Sequence, residues 1–419
     1  MNRNIAPDFT KAQKIDLVFP QKIELENGIQ LFWLNETQDD TVKLDISWDA
    51  GSKYQNKALV ASFTNALLLS GSPDLNAHQI SDKIDFQGGF ISHDVDKDNG
   101  GITLYGLNNK ISDIFSVFST AFNQAVFPES EVNKLIDIRK NGFNISMEKV
   151  STLCRQSFNK NVFGDETGYG KVAQLDDFNK VNQQDIVDFY NTFYLKSKPT
   201  LFLVGQVDDD FINELKKWSS KMGTTTPTCP PQNFKQTKGR VEIKKEDAIQ
   251  SAIRIGRLMI QKNHKDYYKF QILNTILGGY FGSRLMANIR EDKGYTYGIG
   301  SGLSVLDDSA YFFISTEVAK DVTESTITEI YNEINRLKNE YITKNELEKV
   351  KNYLLGEFLR HADGPIAMME NFKNIFFNNL SEDYYTDFIH AVNDVTPQQL
   401  KDLANKYWDK NEFLEVIAG

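Results

Sequence analysis

Hydrolytic chemistry rests on imidazole, thiolate and carboxylate groups held at fixed spacing, and their spacing in this chain restricts what they can do. The histidines are His78, His93, His264, His361 and His390. No two lie within four residues, so no helix offers the paired imidazoles that grip zinc on one face. Cys154 and Cys229 stand 75 positions apart, which excludes a disulfide framework and a Cys-x-x-Cys knuckle. A reduced setting is the simpler reading, with one disulfide left open. His78 with His93-Asp94-Val95-Asp96 has the composition of a metal set, but His78 belongs to another element and His93 to Asp98 reads as a polar strand end and turn. The glycines of Leu277-Gly-Gly-Tyr-Phe-Gly282 lack the Gly-Lys-Ser/Thr of a phosphate loop and read as a helix-breaking turn. On spacing alone, Arg290 and Tyr297, seven residues apart, read as a helix-end arginine paired with local carboxylates and an ordinary strand tyrosine.

The elements that position these residues recur. Val181-Asn-Gln-Gln-Asp-Ile-Val-Asp-Phe-Tyr-Asn-Thr-Phe-Tyr194 matches Val395-Thr-Pro-Gln-Gln-Leu-Lys-Asp-Leu-Ala-Asn-Lys-Tyr-Trp408 at an offset of 214. The same offset carries Leu201–Gly205 onto Glu415–Gly419. Each copy reads as a helix, capped by Asn182 or Thr396, and then a short buried strand. The Pro/Thr-rich stretch Thr224-Thr-Thr-Pro-Thr-Cys-Pro-Pro231 reads as an extended connector. The division is an N-terminal domain over 1–222, a linker over 223–238 and a C-terminal domain over 239–419.

Within the first half, Val42, Leu44, Ile46 and Trp48 alternate as a strand, followed by helices over 58–69 and 75–86, strands over 90–95 and 101–107, and further helices. The second half repeats that order, with an opening strand over 249–257, helices over 267–277 and 283–291, and strands over 295–303 and 310–317. This is an α+β class: two similar halves, each a mostly antiparallel mixed sheet with helices on one face. Asp208-Asp209-Asp210 reads as a helix cap. Phe372, Phe376, Phe377, Tyr384 and Tyr385 read as core.

With 419 residues, 40% of them apolar, the chain can bury a large core without staples. A formal charge of −10 argues against duplex nucleic acid and anionic membranes as partners. The N-terminal residues have no apolar core of the signal type, and no apolar run approaches a membrane span. These features favour a cytoplasmic protein.

The segment Phe281-Gly-Ser-Arg-Leu…Ile-Arg-Glu-Asp-Lys-Gly-Tyr-Thr-Tyr297 resembles the C-terminal signature of the insulinase/pitrilysin family of zinc peptidases, in its two-domain, processing-peptidase-like subgroup. Ala50-Gly51-Ser52 and Phe163-Gly-Asp-Glu-Thr-Gly-Tyr-Gly170 extend the resemblance over essentially the whole chain. The family's activity rests on an inverted zinc motif, His-x-x-Glu-His, on the first helix. Aligned here, Ser62 and Ala66 stand at the histidine positions and Asn65 at the general base. The third ligand would fall near Gly142, and no Asp or Glu occurs between Asp137 and Glu148. The resemblance therefore implies no metal or cofactor in this chain and no peptide hydrolysis by it alone.

The family's Arg/Tyr pair, which reaches the substrate backbone and oxyanion, matches Arg290 and Tyr297. Within the full signature the functional reading of this pair prevails. The implied role is the non-catalytic subunit of a heterodimeric zinc metallopeptidase, lending Arg290 and Tyr297 to a zinc-bearing paralogous partner that acts on peptides or unfolded segments. The alternative is a peptidase-derived scaffold, or a peptide-binding protein with no proteolytic role.

Overall fold

The computed structural model describes residues 17–35, 39–229 and 231–419. The N-terminal stretch read above for a signal sequence, and Pro230 of the linker, lie outside the described residues. The first half supplies strands β1 (Gln21–Glu24), β2 (Gln30–Leu34), β3 (Thr41–Trp48), β4 (Phe90–Val95), β5 (Gly100–Leu107) and β6 (Thr200–Val204). Its helices are α1 (Val60–Ala66), α2 (Ala77–Phe86), α3 (Ile111–Asn123), α4 (Glu129–Met147), α5 (Val150–Phe163), α6 (Gln183–Phe189) and α7 (Asp209–Ser219). The second half adds β7 (Gly239–Ile243), β8 (Gln250–Met259), β9 (Ile299–Val305), β10 (Ala310–Ala319) and β11 (Leu414–Ala418). Helices α8 (Tyr267–Asn274), α9 (Thr323–Asn339), α10 (Lys344–His361), α11 (Pro365–Phe377), α12 (Tyr384–Asp394) and α13 (Pro397–Tyr407) complete it.

The strands form two sheets, ordered β1-β2-β6-β3-β5-β4 and β7-β11-β8-β10-β9. In each, the closing strand is inserted in the same way. β6 runs parallel to β2 and antiparallel to β3 (Leu44 opposite Leu203), and β11 runs parallel to β7 and antiparallel to β8. The sequence repeat lies on α6–β6 and α13–β11, where Asn182 and Thr396 each close a reciprocal capping box. The acidic run also caps: Asp208 accepts from Phe211 N at 2.9 Å.

Period-two alternation places Val42, Leu44, Ile46 and Trp48 on one face of β3, all buried against α1, α3 and α7. The second sheet's own helices bury Ile253, Ile255, Phe312 and Ile314 in the same manner. The structure adds a layer beyond the expected helices on one face. The opposite face of the first sheet, Phe32, Leu34, Phe202 and Val204, is covered by Met369, Phe372, Phe376 and Phe377 of α11. The opposite face of the second sheet, Ala252, Leu414, Val416 and Ala418, is covered by Val150, Cys154 and Phe158 of α5. Each half thus lends one helix to the other. The linker is packed as well as extended: Phe234 stacks on Tyr169 at 5.5 Å, and Thr237 N donates to Asn161 O at 2.8 Å. Among the described residues no helix is long and apolar enough to cross a membrane.

Candidate functional site

Helix α1 begins on Leu59, which sits in the left-handed region at φ 76, a conformation that costs a non-glycine residue about 1–3 kcal/mol. Two bonds hold the turn: Phe63 N and Ser62 Oγ both donate to Leu59 O at 2.9 Å. The tight entry shortens the helix relative to the 58–69 pattern.

Ser62 is therefore spent on backbone capping. Asn65, 1% exposed, donates from Nδ2 to Gly101 O at 3.0 Å and to the Tyr194 hydroxyl at 3.1 Å, joining α1 to β5 and to the chain beyond α6. Its carbonyl meets His93 Nδ1 of β4 at 2.8 Å, so that nitrogen carries the proton and donates. Ala66 presents a methyl to a cavity of about 420 Å³ whose walls include His93, Glu131, Ile84 and Ile138. Gly142 lies on α4, where a side chain would meet nothing within 4 Å.

This donor set does not fit zinc. One hydroxyl and one amide are engaged by the protein itself, one methyl has no lone pair, and one of the two imidazole nitrogens is committed. Among the described residues no three His, Cys, Asp or Glu side chains cluster as a metal site. His78 pairs instead with Asp82 at 2.7 Å on the surface of α2, away from His93.

Burial pulls the His93 pKa below the ordinary value of 6.5, against the Asn65 carbonyl and the Asp94 charge. The unfolded chain takes up a proton near 6.5 while the folded chain resists it. Stability is therefore full above that pH and declines as pH falls towards the lowered folded value. His93→Gln, which keeps a donor for Asn65 O, should flatten this decline. Denaturation midpoints at pH 7.5 and 5.5 test it, and an unchanged slope in the variant would exclude His93 as the cause.

Arg290 sits on a widened, π-type last turn over Met286–Asp292, where Lys293 N reaches back to Asn288 O. Gly294, at φ +67, ends the helix as its position predicts. The guanidinium lies over the exposed Phe281 ring at 4.7 Å. Tyr297 departs from expectation: it occupies the loop ahead of β9, not the strand that the 295–303 alternation predicts. The reason is local, because Thr296 Oγ1 accepts from Gly298 N and bonds to Glu317 O, drawing the backbone out of the ladder until Ile299 pairs with Thr316. Tyr297 is 95% exposed, and among the described residues its hydroxyl has no hydrogen-bond partner. Among the described residues no hydrogen bond or cation–π contact joins Arg290 to Tyr297. Tyr297 borders a cavity walled by α5, β8 and β10, and Arg290 does not.

A second cluster escaped the sequence reading. Lys53, with 4% of its side chain exposed, pairs with Asp98 at 3.0 Å, Asp307 at 2.9 Å and Asp308 at 3.3 Å. The Tyr169 hydroxyl bonds Asp98 and also reaches Asp308 at 3.1 Å. Burial disfavours the ammonium, but its carboxylate bonds prevail and hold its pKa above the ordinary lysine value. Three carboxylates share this one cation, so burial and the Asp98 charge leave the Asp307 carboxyl raised. Gly51 makes the approach possible, since a Cβ there would collide with the Asp98 backbone. The only sequence signals were the Asp307-Asp308 doublet and Lys53 after Ala50-Gly51-Ser52.

Two duplicated α+β halves, a first helix without metal donors, Arg290 on a helical turn and an exposed Tyr297 on the loop beyond it make up the candidate site. Residues 180–354 match the family description Peptidase M16 inactive domain. The chain is 20% identical over 400 residues, 94% of its length and 97% of the relative's, to a protein of Bacillus subtilis named uncharacterized zinc protease YmxG. It is 22% identical over 201 residues, 47% of each chain, to the probable inactive metalloprotease YmfF of the same organism. A peptidase M16 inactive domain from Pseudomonas fluorescens superposes with a TM-score of 0.85 at 21% identity, over 96% of this chain and 98% of that one. The chain is thus similar to peptidase M16 proteins along its length, and the family's inactive-domain model itself matches residues 180–354.

Proposed function

We propose that this protein is the non-catalytic subunit of a heterodimeric zinc metallopeptidase, lending Arg290 and Tyr297 to peptide bound at a zinc-bearing paralogous partner. The observation that carries the reading is a contrast within one chain. Ser62 and Asn65 of the metal-motif positions are built into internal hydrogen bonds, whereas Tyr297 stands 95% exposed with a hydroxyl that no described residue engages. A phenol held in that state is free to donate to an oxyanion that forms on another chain. Strand β4, at the edge of the first sheet and beside the Ala66 cavity, offers backbone groups for an extended peptide. Zinc belongs to the partner in this scheme.

The test mixes this chain with its zinc-bearing partner and follows a quenched peptide. Tyr297→Phe should lower kcat by about 10²–10³-fold, the usual cost of one oxyanion donor, and Arg290→Ala should lower kcat/KM. If both variants cleave at the wild-type rate, the shared site does not exist. The separation of Arg290 from the Tyr297 cavity favours the second reading, a scaffold or peptide-binding protein without proteolytic role. In that case no partner mixture cleaves at all.

A further inference from the structure

The cavity beside Tyr297 has a chemistry of its own. It encloses about 570 Å³, and its walls include Arg155 of α5, Arg254 of β8, Thr296, Tyr297, Thr316 and Glu317. The Arg254 guanidinium is clamped between two rings, 4.3 Å from the Phe313 centroid and 5.1 Å from that of Phe158. Stacking of this kind fixes the plane of the fork and leaves its N–H edge as the only direction for bonding. Its Nε is buried and has no acceptor among the described residues. Neither Arg155 nor Arg254 forms an ion pair among the described residues.

Two guanidinium groups in one cavity repel each other, and burial together with that repulsion draws the Arg254 pKa down. Glu317, the one carboxylate on these walls, is solvent-exposed and leaves a positive charge uncompensated. The excess is local, because the chain as a whole carries −10. The Tyr311 hydroxyl bonds the Arg254 fork, but no carboxylate pairs with it, and an anion at the buried Nε edge would complete it.

We propose that Arg155 and Arg254 form a carboxylate-binding subsite beside Tyr297, taking the C-terminal carboxylate or an acidic side chain of a peptide. The peptide as source of the carboxylate rests on the functional reading above, through Tyr297 at the cavity rim. The subsite itself belongs to this chain alone.

Calorimetry on the full chain without any partner tests it. The probes are a neutral N-acetylated hexapeptide with a free C-terminus, its C-terminal amide, the amide with one internal Glu, and inorganic phosphate. The free acid, the Glu amide or both should bind at least about tenfold tighter than the neutral amide, and the two charged probes tell a chain end from a side chain. Arg155→Gln, at an exposed position that spares the fold, should abolish that advantage, and Arg155→Lys should keep part of it. Arg254→Lys keeps the charge but loses the planar fork, and should also weaken the charged probes. Equal binding of charged and neutral peptides overturns the proposal, as does an advantage that survives Arg155→Gln. Phosphate binding without carboxylate discrimination overturns it too. Arg290 and Tyr297 stay intact and no partner is present, so failure here leaves the shared-site reading standing. Failure of the mixed cleavage assay would likewise leave this subsite intact.

Discussion

Replacing Lys53 by Met should destabilise the fold by about 3–5 kcal/mol, because it strands buried carboxylates that now share one ammonium. Asp98 is the most affected, with 6% of its side chain exposed and, besides Lys53, the Tyr169 hydroxyl and the Asp307 amide as partners. Asp307 and Asp308 are more open and regain water. Guanidinium unfolding of the wild type and Lys53→Met would show the difference as a lower midpoint at similar slope. The double variant Lys53→Met/Asp98→Asn should recover part of the loss, since the stranded charge is then gone. A single-variant loss under about 1 kcal/mol would place the cluster with surface ion pairs, whose contribution is that small. The Lys53 pKa is raised, so its contribution is complete below the ordinary lysine pKa and disappears only as pH rises through the higher folded value. The midpoint difference should therefore stay constant from neutral pH down until the carboxyls titrate.

The second large effect is expected at Phe158. It is fully buried on α5, packs 5.8 Å from the Tyr311 ring, and lies where a Cβ on Gly256 would strike it. Truncating a buried phenylalanine costs about 3–5 kcal/mol through lost burial and the cavity left behind. Phe158→Ala should lose stability in that range, because this contact joins the first half's helix to the second half's sheet. A loss under about 1 kcal/mol would mean that α5 rests loosely on the sheet. The variant also removes one ring of the clamp on Arg254, so its binding of charged peptides should fall even where the fold survives.

Much of the fold was legible because period and capping are local. The alternation of Val42 to Trp48, the caps Asn182 and Thr396 and the duplicated helix–strand unit each state their structure within a dozen residues. Tyr297 was misplaced because a single threonine side chain outcompeted the strand pattern. The Lys53 cluster was illegible for a different reason: its partners lie at 98, 169, 307 and 308, and nothing local marks a lysine for burial. The α5 and α11 coverings were hidden likewise. Both faces of β6 are apolar, and β11 adds only Glu415 to an apolar run, so the pattern cannot say whose helix fills the second face. At the candidate site, Ser62, Asn65 and Ala66 showed only what was missing. That Asn65 had become a structural tie to Gly101 and Tyr194 required coordinates.

The exchange of helices between the halves changes what the connecting segment is for. Each half holds a piece of the other in its own apolar interior, so the union is sealed by packing and not by the covalent link between them. Chain continuity acts mainly before that, as a source of high effective concentration while the two halves find each other. Once they are assembled, the link acts through its packing, Phe234 on Tyr169 and Thr237 on Asn161, and not as a tether.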